Sequence, residues 1–480
     1  MPSTLTKASL KNSRPLNLTR WSVDPQVSNA VDAIAAELRK LPSITRFTDR
    51  RKKALRILIL DSYLRWLEDP GGSLAYSRNK NFYVIPERYN PAGIGYEPII
   101  SMVDGLADLG YVETKKGFLN RVIGFGRLSR LVAKPKLINL LEKQHKVDGS
   151  MIGVHGDTET VILRNKKKEE VDYNDTRFTR ATRSLLTDYH RLLRNQYIDL
   201  DLTGYPSPVR VDLANKFVRR IFSNRSFKQG GRFYGGWWLH LPKELRPRII
   251  IRSHPTVELD FSGMQVVQVY AESGIDYFAL GKGDPYTLPM YGPQYRDLFK
   301  KVFMTLNASS RTKTKRAIQK PINFRELTLP PGKSVEDILT EFEAFHSTIL
   351  PQFYAGNAGH FQFLDSIVAE RVIDYMTRIE RSPVLCIHDS FIVISGQENV
   401  VRDAMADALS DVLIQHTPLT SVDPKIKKTD HWVDKSKQSG VQNYSLPDIA
   451  RDPTAQRMGE SYSTKRQGFL TYEPSASTPT

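Results

Sequence analysis

Two aspartates with a basic helix between them are the residues of this chain whose types and spacing could do chemistry. Asp389 stands in the stretch Val384-Leu-Cys-Ile-His-Asp-Ser-Phe-Ile-Val-Ile394, where a His-Asp pair between two short apolar runs reads as a tight β-hairpin with a carboxylate at its tip. Alone, an Asp in that position serves equally well as a turn former. Asp260 closes the strand-like run from Thr256 and immediately precedes a helical stretch, Val266 to Ala271. Between the two, Tyr295 to Leu306 reads as a helix with Arg296 and Lys300 one turn apart on one face. This set suits phosphoryl transfer. Asp260 and Asp389 would hold two Mg²⁺ ions about 3.5–4 Å apart that clamp the attacking and leaving oxygens, while Arg296 and Lys300 hold a triphosphate. The order carboxylate, cationic helix, carboxylate is more specific than any of its members.

In that order the motifs resemble a known superfamily, the palm-and-fingers polymerases that include family A DNA polymerases and the single-subunit RNA polymerases of bacteriophages and mitochondria. Asp260-Phe-Ser-Gly-Met-Gln265 is similar to their motif A, Arg296-x3-Lys300-x3-Met304-Thr-Leu to motif B, and His388-Asp389-Ser390 to motif C. Gly231-Arg232-Phe-Tyr234 resembles the Gly-Arg element that touches the template-primer duplex. Together these span a little over a third of the chain. The resemblance implies an α+β fold in which a reduced right-hand polymerase (palm, fingers, thumb) follows an N-terminal winged-helix-like module. It implies two Mg²⁺ on Asp260 and Asp389. Gln265, Met304, Ala308 and His388 would surround the incoming nucleotide, and Arg232 and Tyr234 would lie along the nucleic acid.

The departures bear on the sugar. Ala308 stands where both branches place a Tyr eight residues after the motif B Lys, and Gln265 and Ser390 stand where the DNA enzymes carry acidic residues. These features favour RNA synthesis. The short interval from Arg232 to Asp260 favours the DNA enzymes. DNA-templated RNA synthesis, in transcription or priming, is therefore the first expectation, and a family A-like DNA polymerase replicating a mobile element is the alternative. A DNA-binding replication initiator with a decayed palm has no need to keep Asp260, Lys300 and Asp389 together, and a metal-dependent nuclease has no need of the Arg-x3-Lys helix. A hydrolase built on Ser390 and His388 lacks a second base and a Gly-x-Ser-x-Gly turn. With no acidic cluster upstream of Arg232, proofreading is not expected.

Other elements would position these groups. Val31 to Leu41 and Arg50 to Leu67 read as helices, and Tyr96 opens a third in which Ile99, Val103 and Leu106 share a face, ended by Gly110. A strand from Tyr111, a turn at Gly117 and a second basic stretch from Arg121 to Val132 complete a winged helix-turn-helix pattern over residues 26–150. Lys115, Lys116, Arg127 and Arg130 would meet phosphates on its wing; docking to a protein is the other use of such a module. From Arg177 to Asn195, Phe178, Ala181, Leu185, Leu186, Tyr189, Leu192 and Leu193 fall on one side of a helix. Arg177, Arg180, Arg183, Arg191 and Arg194 fall on the other, interrupted only by Asp188, which makes a phosphate-tracking stripe plausible in the thumb position. Arg311-Thr-Lys-Thr-Lys-Arg316 reads as a further basic run, and Gly283-Asp-Pro-Tyr286 resembles an Asp-containing turn of the family A enzymes, with Asp284 serving equally well as an N-cap.

At 480 residues, with 40% hydrophobic content, the chain can bury two or three cores. A net charge of +17 and a pI near 9.6 point to a polyanionic partner. DNA template and nucleoside triphosphates are the expected partners of a monomer. Cys386 is the single cysteine, expected as a buried thiol. No stretch approaches the roughly 20 apolar residues of a membrane span, so a cytoplasmic, nucleoid-associated location is expected, with the acid-free first twenty residues leaving an organellar address open. The expected divisions are a disordered basic arm (1–25), the winged-helix-like domain (26–150), linker and thumb-like helices (151–229), the palm and fingers core (230–425), and a C-terminal extension with a disordered tail (426–480).

Overall fold

The computed structural model describes residue 10 and residues 12–120, 125–202, 205, 209, 211–213, 215–308, 310–319 and 328–431. Arg121, the first nine residues and the expected tail lie outside them. The described chain is mixed α/β, and its apolar residues gather into two main cores.

The first core is built by the helices Pro25–Leu38, Asp49–Glu68 and Tyr96–Asp108. Local chemistry starts each of the first two. Asp24 caps one by accepting from the Gln26 amide at 3.0 Å with Pro25 at the first helical position, and Thr48 caps the other from the Arg51 amide at 3.3 Å. The third ends where Gly110 turns left-handed (φ +72°), letting the Tyr111 amide reach back to the Leu106 carbonyl at 2.8 Å. A four-stranded sheet covers them in the order Ser13–Pro15, Ser73–Tyr76, Ser129–Ala133, Val112–Lys115, and the hairpin of the last two carries a second strand pair, Phe118–Asn120 with Phe125–Arg127.

The arm expected over residues 1–25 is not free along its second half. Ser13–Pro15 pairs with Ser73–Tyr76, and Arg14 and Arg20 bind Asp61 at 2.8 and 3.2 Å. Asp61 is fully buried, and its carboxylate is stable there only with cations beside it. The basic residues that made the segment look solvated are counterions of the core.

The second core surrounds a six-stranded antiparallel sheet. Its order is Ile198–Leu200, Ile249–Ile251, His254–Phe261, Ser390–Ile394, Leu385–Ile387, with Ile426–Thr429 also pairing against His254–Phe261. Two expected boundaries move as a result. Residues 426–429 belong to this sheet and not to an extension, and the division at residue 230 falls inside the strand Ser226–Tyr234. The helix Ala358–Asp374 packs against that strand and against the helix Glu398–His416. Among the described residues, no helix is long and apolar enough to cross a membrane.

Candidate active site

Strand alternation sets the orientation of Asp260. In His254–Phe261, Val257, Leu259 and Phe261 are buried while Glu258 and Asp260 are half-buried, so the acids share the face away from the apolar side chains. Asp260 pairs in register with Ser390, the residue after Asp389. Asp389 occupies the two-residue turn between Leu385–Ile387 and Ser390–Ile394, and His388 before it adopts a left-handed backbone (φ +60°) to make that turn. The two aspartates expected to act together, far apart in sequence, are thus neighbours at one end of adjacent strands.

Their electrostatics follow from this. The Asp260 carboxyl is pushed up to about 6, first by burial and then by the negative charges of Asp389 and Glu258, with Lys300 and Lys243 opposing. Lys300 is therefore close enough to act on Asp260. It stands exposed on the helix Arg296–Leu306, whose opposite side buries Leu298, Phe299, Val302, Phe303 and Leu306. Arg296 and Met304 lie on the same open side as Lys300, and Met304 is exposed. Asp284 holds Arg296 by bonds of 3.1 and 3.0 Å from Nε and Nη2, and the Tyr286 ring lies 5.3 Å beneath the guanidinium. Asp284 also accepts from the Tyr286 amide at 2.9 Å, so of its two expected uses, turn residue or cap, it organises a turn and fixes Arg296.

Arg232 and Tyr234 reach the same region from the strand Ser226–Tyr234. Arg232 is ion-paired to Asp365, and the Tyr234 ring is 5.6 Å from that of His388. Asp365 also accepts from Gln268 Nε2 at 2.6 Å. Its carboxyl is pushed up by burial, held down by Arg232, and raised again by Asp389. Burial, then Arg232, holds His388 below the usual imidazole range. Gln265 is half-buried on the helix Met264–Ala271, and Ala308 is exposed just past the helix Arg296–Leu306.

Asp365 and Glu258 escaped the reading of the sequence. Glu258 Oε1 accepts from Ser390 Oγ at 2.7 Å and from Arg246 Nη1 at 3.2 Å. Its position two residues before Asp260 on a strand was a usable signal, because such residues share a face. Asp365 had none, being a helical acid over a hundred residues from its partner Arg232.

The remaining basic candidates are divided. Arg177, Arg180, Arg191 and Arg194 are exposed on the helix Arg177–Arg194, but Arg183 is bound to Glu159 at 2.9 Å and to Asp175 at 2.8 Å. Asp188 pairs with Arg191 and Arg378. The stripe expected to be broken once is thus broken at Arg183 as well. Ala181, placed on the packing face, is exposed; Thr182 is buried in its stead, with its hydroxyl 3.0 Å from Glu370 Oε1. Lys115, Lys116 and Arg127 are exposed on the hairpin, whereas Arg130 is half-buried, with Nη1 on the Leu128 carbonyl at 2.7 Å. Arg311 is tied to Glu336 and Glu343. Cys386 is buried.

Among the described residues, no three His, Cys, Asp or Glu side chains form a ready metal cage. Asp260 and Asp389 nevertheless fit Mg²⁺. Both offer hard oxygen donors, and the Asp260 carboxyl is raised by its partial burial and by the negative charges of Asp389 and Glu258, which a cation would offset. Mg²⁺ characteristically takes one or two carboxylates and completes its shell with water and substrate phosphates.

No family model matches the sequence, and no curated protein matches it. Among solved structures, the POL domain of Pol1 from M. smegmatis, in complex with DNA primer-template and dNTP, aligns over 84% of this chain and 70% of that one, at 11% identity and a TM-score of 0.25. A similarity of that degree carries no argument about this chain.

Proposed function

We propose that this chain is a nucleic-acid-templated nucleotidyltransferase that joins a nucleoside triphosphate to a growing 3′-hydroxyl and releases pyrophosphate. The observation that carries the reading is the pairing of Asp260 with Ser390, which brings Asp260 beside Asp389, with Lys300 acting on Asp260. Two Mg²⁺ on Asp260 and Asp389 would supply positive charge at the attacking and leaving oxygens. Lys300 and Arg296 face the triphosphate from one helix side, and Asp284 keeps Arg296 from swinging away. The Lys300 ammonium is the group suited to protonate the departing pyrophosphate. Arg232, fixed by Asp365, adds a cation near Asp389 along the path of the primer-template backbone.

Ribonucleotides are the favoured substrate, because Gln265 is uncharged where an acid would crowd a 2′-hydroxyl and Ala308 provides no ring to brace the sugar. The palm of a right hand corresponds to the six-stranded sheet, and the fingers to the Arg296–Leu306 region. A winged helix-turn-helix is the reading of the first core, supported by its order of helix Asp49–Glu68, strand Ser73–Tyr76, helix Tyr96–Asp108 and hairpin, with the first strand against the hairpin's second. The third helix is poorly suited to a DNA groove: it carries no Lys or Arg, and of its outer acids Glu97 and Asp104 are already paired with Arg51 and Arg78. Phosphate contact therefore falls to Lys115, Lys116 and Arg127 on the hairpin.

Extension of a labelled primer on DNA with Mg²⁺ tests the proposal. Asp260→Asn and Asp389→Asn should each lower incorporation on the order of 10²–10³-fold or more while leaving the fold intact, since each removes a ligand and no core contact. Near-normal activity in either variant, or no incorporation by the wild type from any nucleotide or template, would overturn it.

A further inference from the structure

The strand that carries Asp260 is covered along one edge by Ser390–Ile394. On its other edge Ile249–Ile251 reaches only His254 and Pro255, and Ile426–Thr429 covers Glu258 to Phe261. The Ser262 amide fastens this last strand by donating to the Lys425 carbonyl at 2.7 Å, and Lys427 then stands directly opposite Asp260. Residues directly opposed in an antiparallel pair share a face. Lys427 is therefore on the face of the two acids, whereas Lys428 is on the other, paired with Glu398 at 3.2 Å and Asp430 at 2.9 Å.

The Lys427 ammonium lies 4.0 Å from Asp284 Oδ2, the oxygen that already accepts from Arg296 Nη2 and Nε at 3.0 and 3.1 Å. Arg296 is the tight partner of that carboxylate. Lys427 is a second cation on it, with a side chain 56% exposed, and so loose and solvated a contact contributes little by itself. Its charge is open to an anion from solvent, and an ammonium with three donors suits phosphate oxygens. The two cations also come from different elements, Arg296 from the helix Arg296–Leu306 and Lys427 from the sheet. Lys300, the foremost cation acting on Asp260, lies one helical turn from Arg296. A phosphate chain that begins at the aspartates and passes Lys300 would end between Arg296 and Lys427.

We propose that Lys427 binds the terminal phosphate of the incoming nucleoside triphosphate opposite Arg296, so that the last strand of the sheet helps to tell a triphosphate from a diphosphate. This rests on the nucleotidyltransferase reading, which puts the α-phosphate at Asp260 and Asp389.

Equilibrium titration of the full chain with ATP and with ADP, each with Mg²⁺ at low salt, tests the assignment. Lys427→Ala should weaken ATP binding by about tenfold or more and ADP binding by less than about twofold, and Lys427→Arg should keep most of the ATP affinity. Lys428→Ala removes the same charge from the same strand on its other face and should change neither. No ATP binding by the wild type, equal losses for ATP and ADP in Lys427→Ala, or like behaviour of Lys427→Ala and Lys428→Ala would overturn the assignment. Primer extension tells its failure from that of the polymerase reading. Incorporation that depends on Asp260, with ATP affinity untouched in Lys427→Ala, would reject the role of Lys427 alone. Selective loss of ATP affinity in Lys427→Ala, in a protein whose wild type extends no primer, would keep a triphosphate site and reject the polymerase.

Discussion

Asp365 is the single side chain that links most of the candidate site, since it holds Arg232 and Gln268 and feels the charge of Asp389. Replacing it by Leu strands Arg232 next to an apolar group. The expected cost in stability is about 3–5 kcal/mol, the usual penalty for breaking a buried pair from one side, measured by urea unfolding. Asp365→Asn, which keeps a hydrogen-bond acceptor, should lose less. The sugar is also decided at single residues. A steady-state competition between ATP and dATP should show acceptance of ATP in the wild type and a shift toward dATP in Gln265→Glu with Ala308→Tyr. A wild-type preference for dATP above about a thousandfold, some 4 kcal/mol in the transition state, would reject ribonucleotide synthesis and leave DNA synthesis standing.

Among the elements, the helix Arg177–Arg194 separates two kinds of arginine. Arg177, Arg180 and Arg191 face solvent and are proposed to meet phosphates, whereas Arg183 clamps the buried Glu159. Alanine at any of the first three should flatten the plot of log affinity against log salt by about 0.9 on duplex DNA and leave melting unchanged. Arg183→Ala should instead lower stability by about 1–3 kcal/mol, because Glu159 loses one of its two guanidinium partners. Equal behaviour of the four variants would remove the distinction. The hairpin gives a parallel measurement: Lys115→Ala, Lys116→Ala and Arg127→Ala combined should flatten the slope further if the hairpin touches DNA, and an unchanged slope would favour protein docking for the N-terminal core.

For the whole molecule, two histidines make folding depend on pH. Burial first, partly offset by backbone hydrogen bonds, pushes His190 and His346 down to about 4. In the unfolded chain a histidine titrates near 6.5, so between about pH 6.5 and 4 the unfolded state binds more protons. The stabilisation from the neutral imidazoles is present above pH 6.5 and is lost as pH falls toward 4, by up to about 3 kcal/mol per histidine. Asp260, raised to about 6 in the folded state, binds its proton over part of the same range and opposes the histidines, so the test is the difference between proteins. Between pH 7.5 and pH 5 the urea midpoint should fall more in the wild type than in His190→Gln with His346→Gln, and equal profiles would contradict the burial of these rings.

Whatever depends on neighbours in sequence was legible from the amino acids. The helices Asp49–Glu68, Tyr96–Asp108, Arg177–Arg194 and Arg296–Leu306 follow from caps, a C-terminal glycine and helical spacing, and the turn at His388-Asp389 from flanking β-type runs. Their signals are periodic and local, so no long-range contact is needed to see them. The order of Asp260, the Arg296–Lys300 face and Asp389 could likewise be read before their proximity was known. Only the tertiary structure decided which charges meet: Arg14 and Arg20 with Asp61, Arg232 with Asp365, Arg183 with Glu159. Except for Arg183 and Glu159, these partners lie 40 residues or more apart, and even that pair joins a helix to a loop outside it. Long-range ion pairs leave no period in a sequence, because the register of distant strands and the docking of helices choose the partner, and until they form every arginine looks solvated.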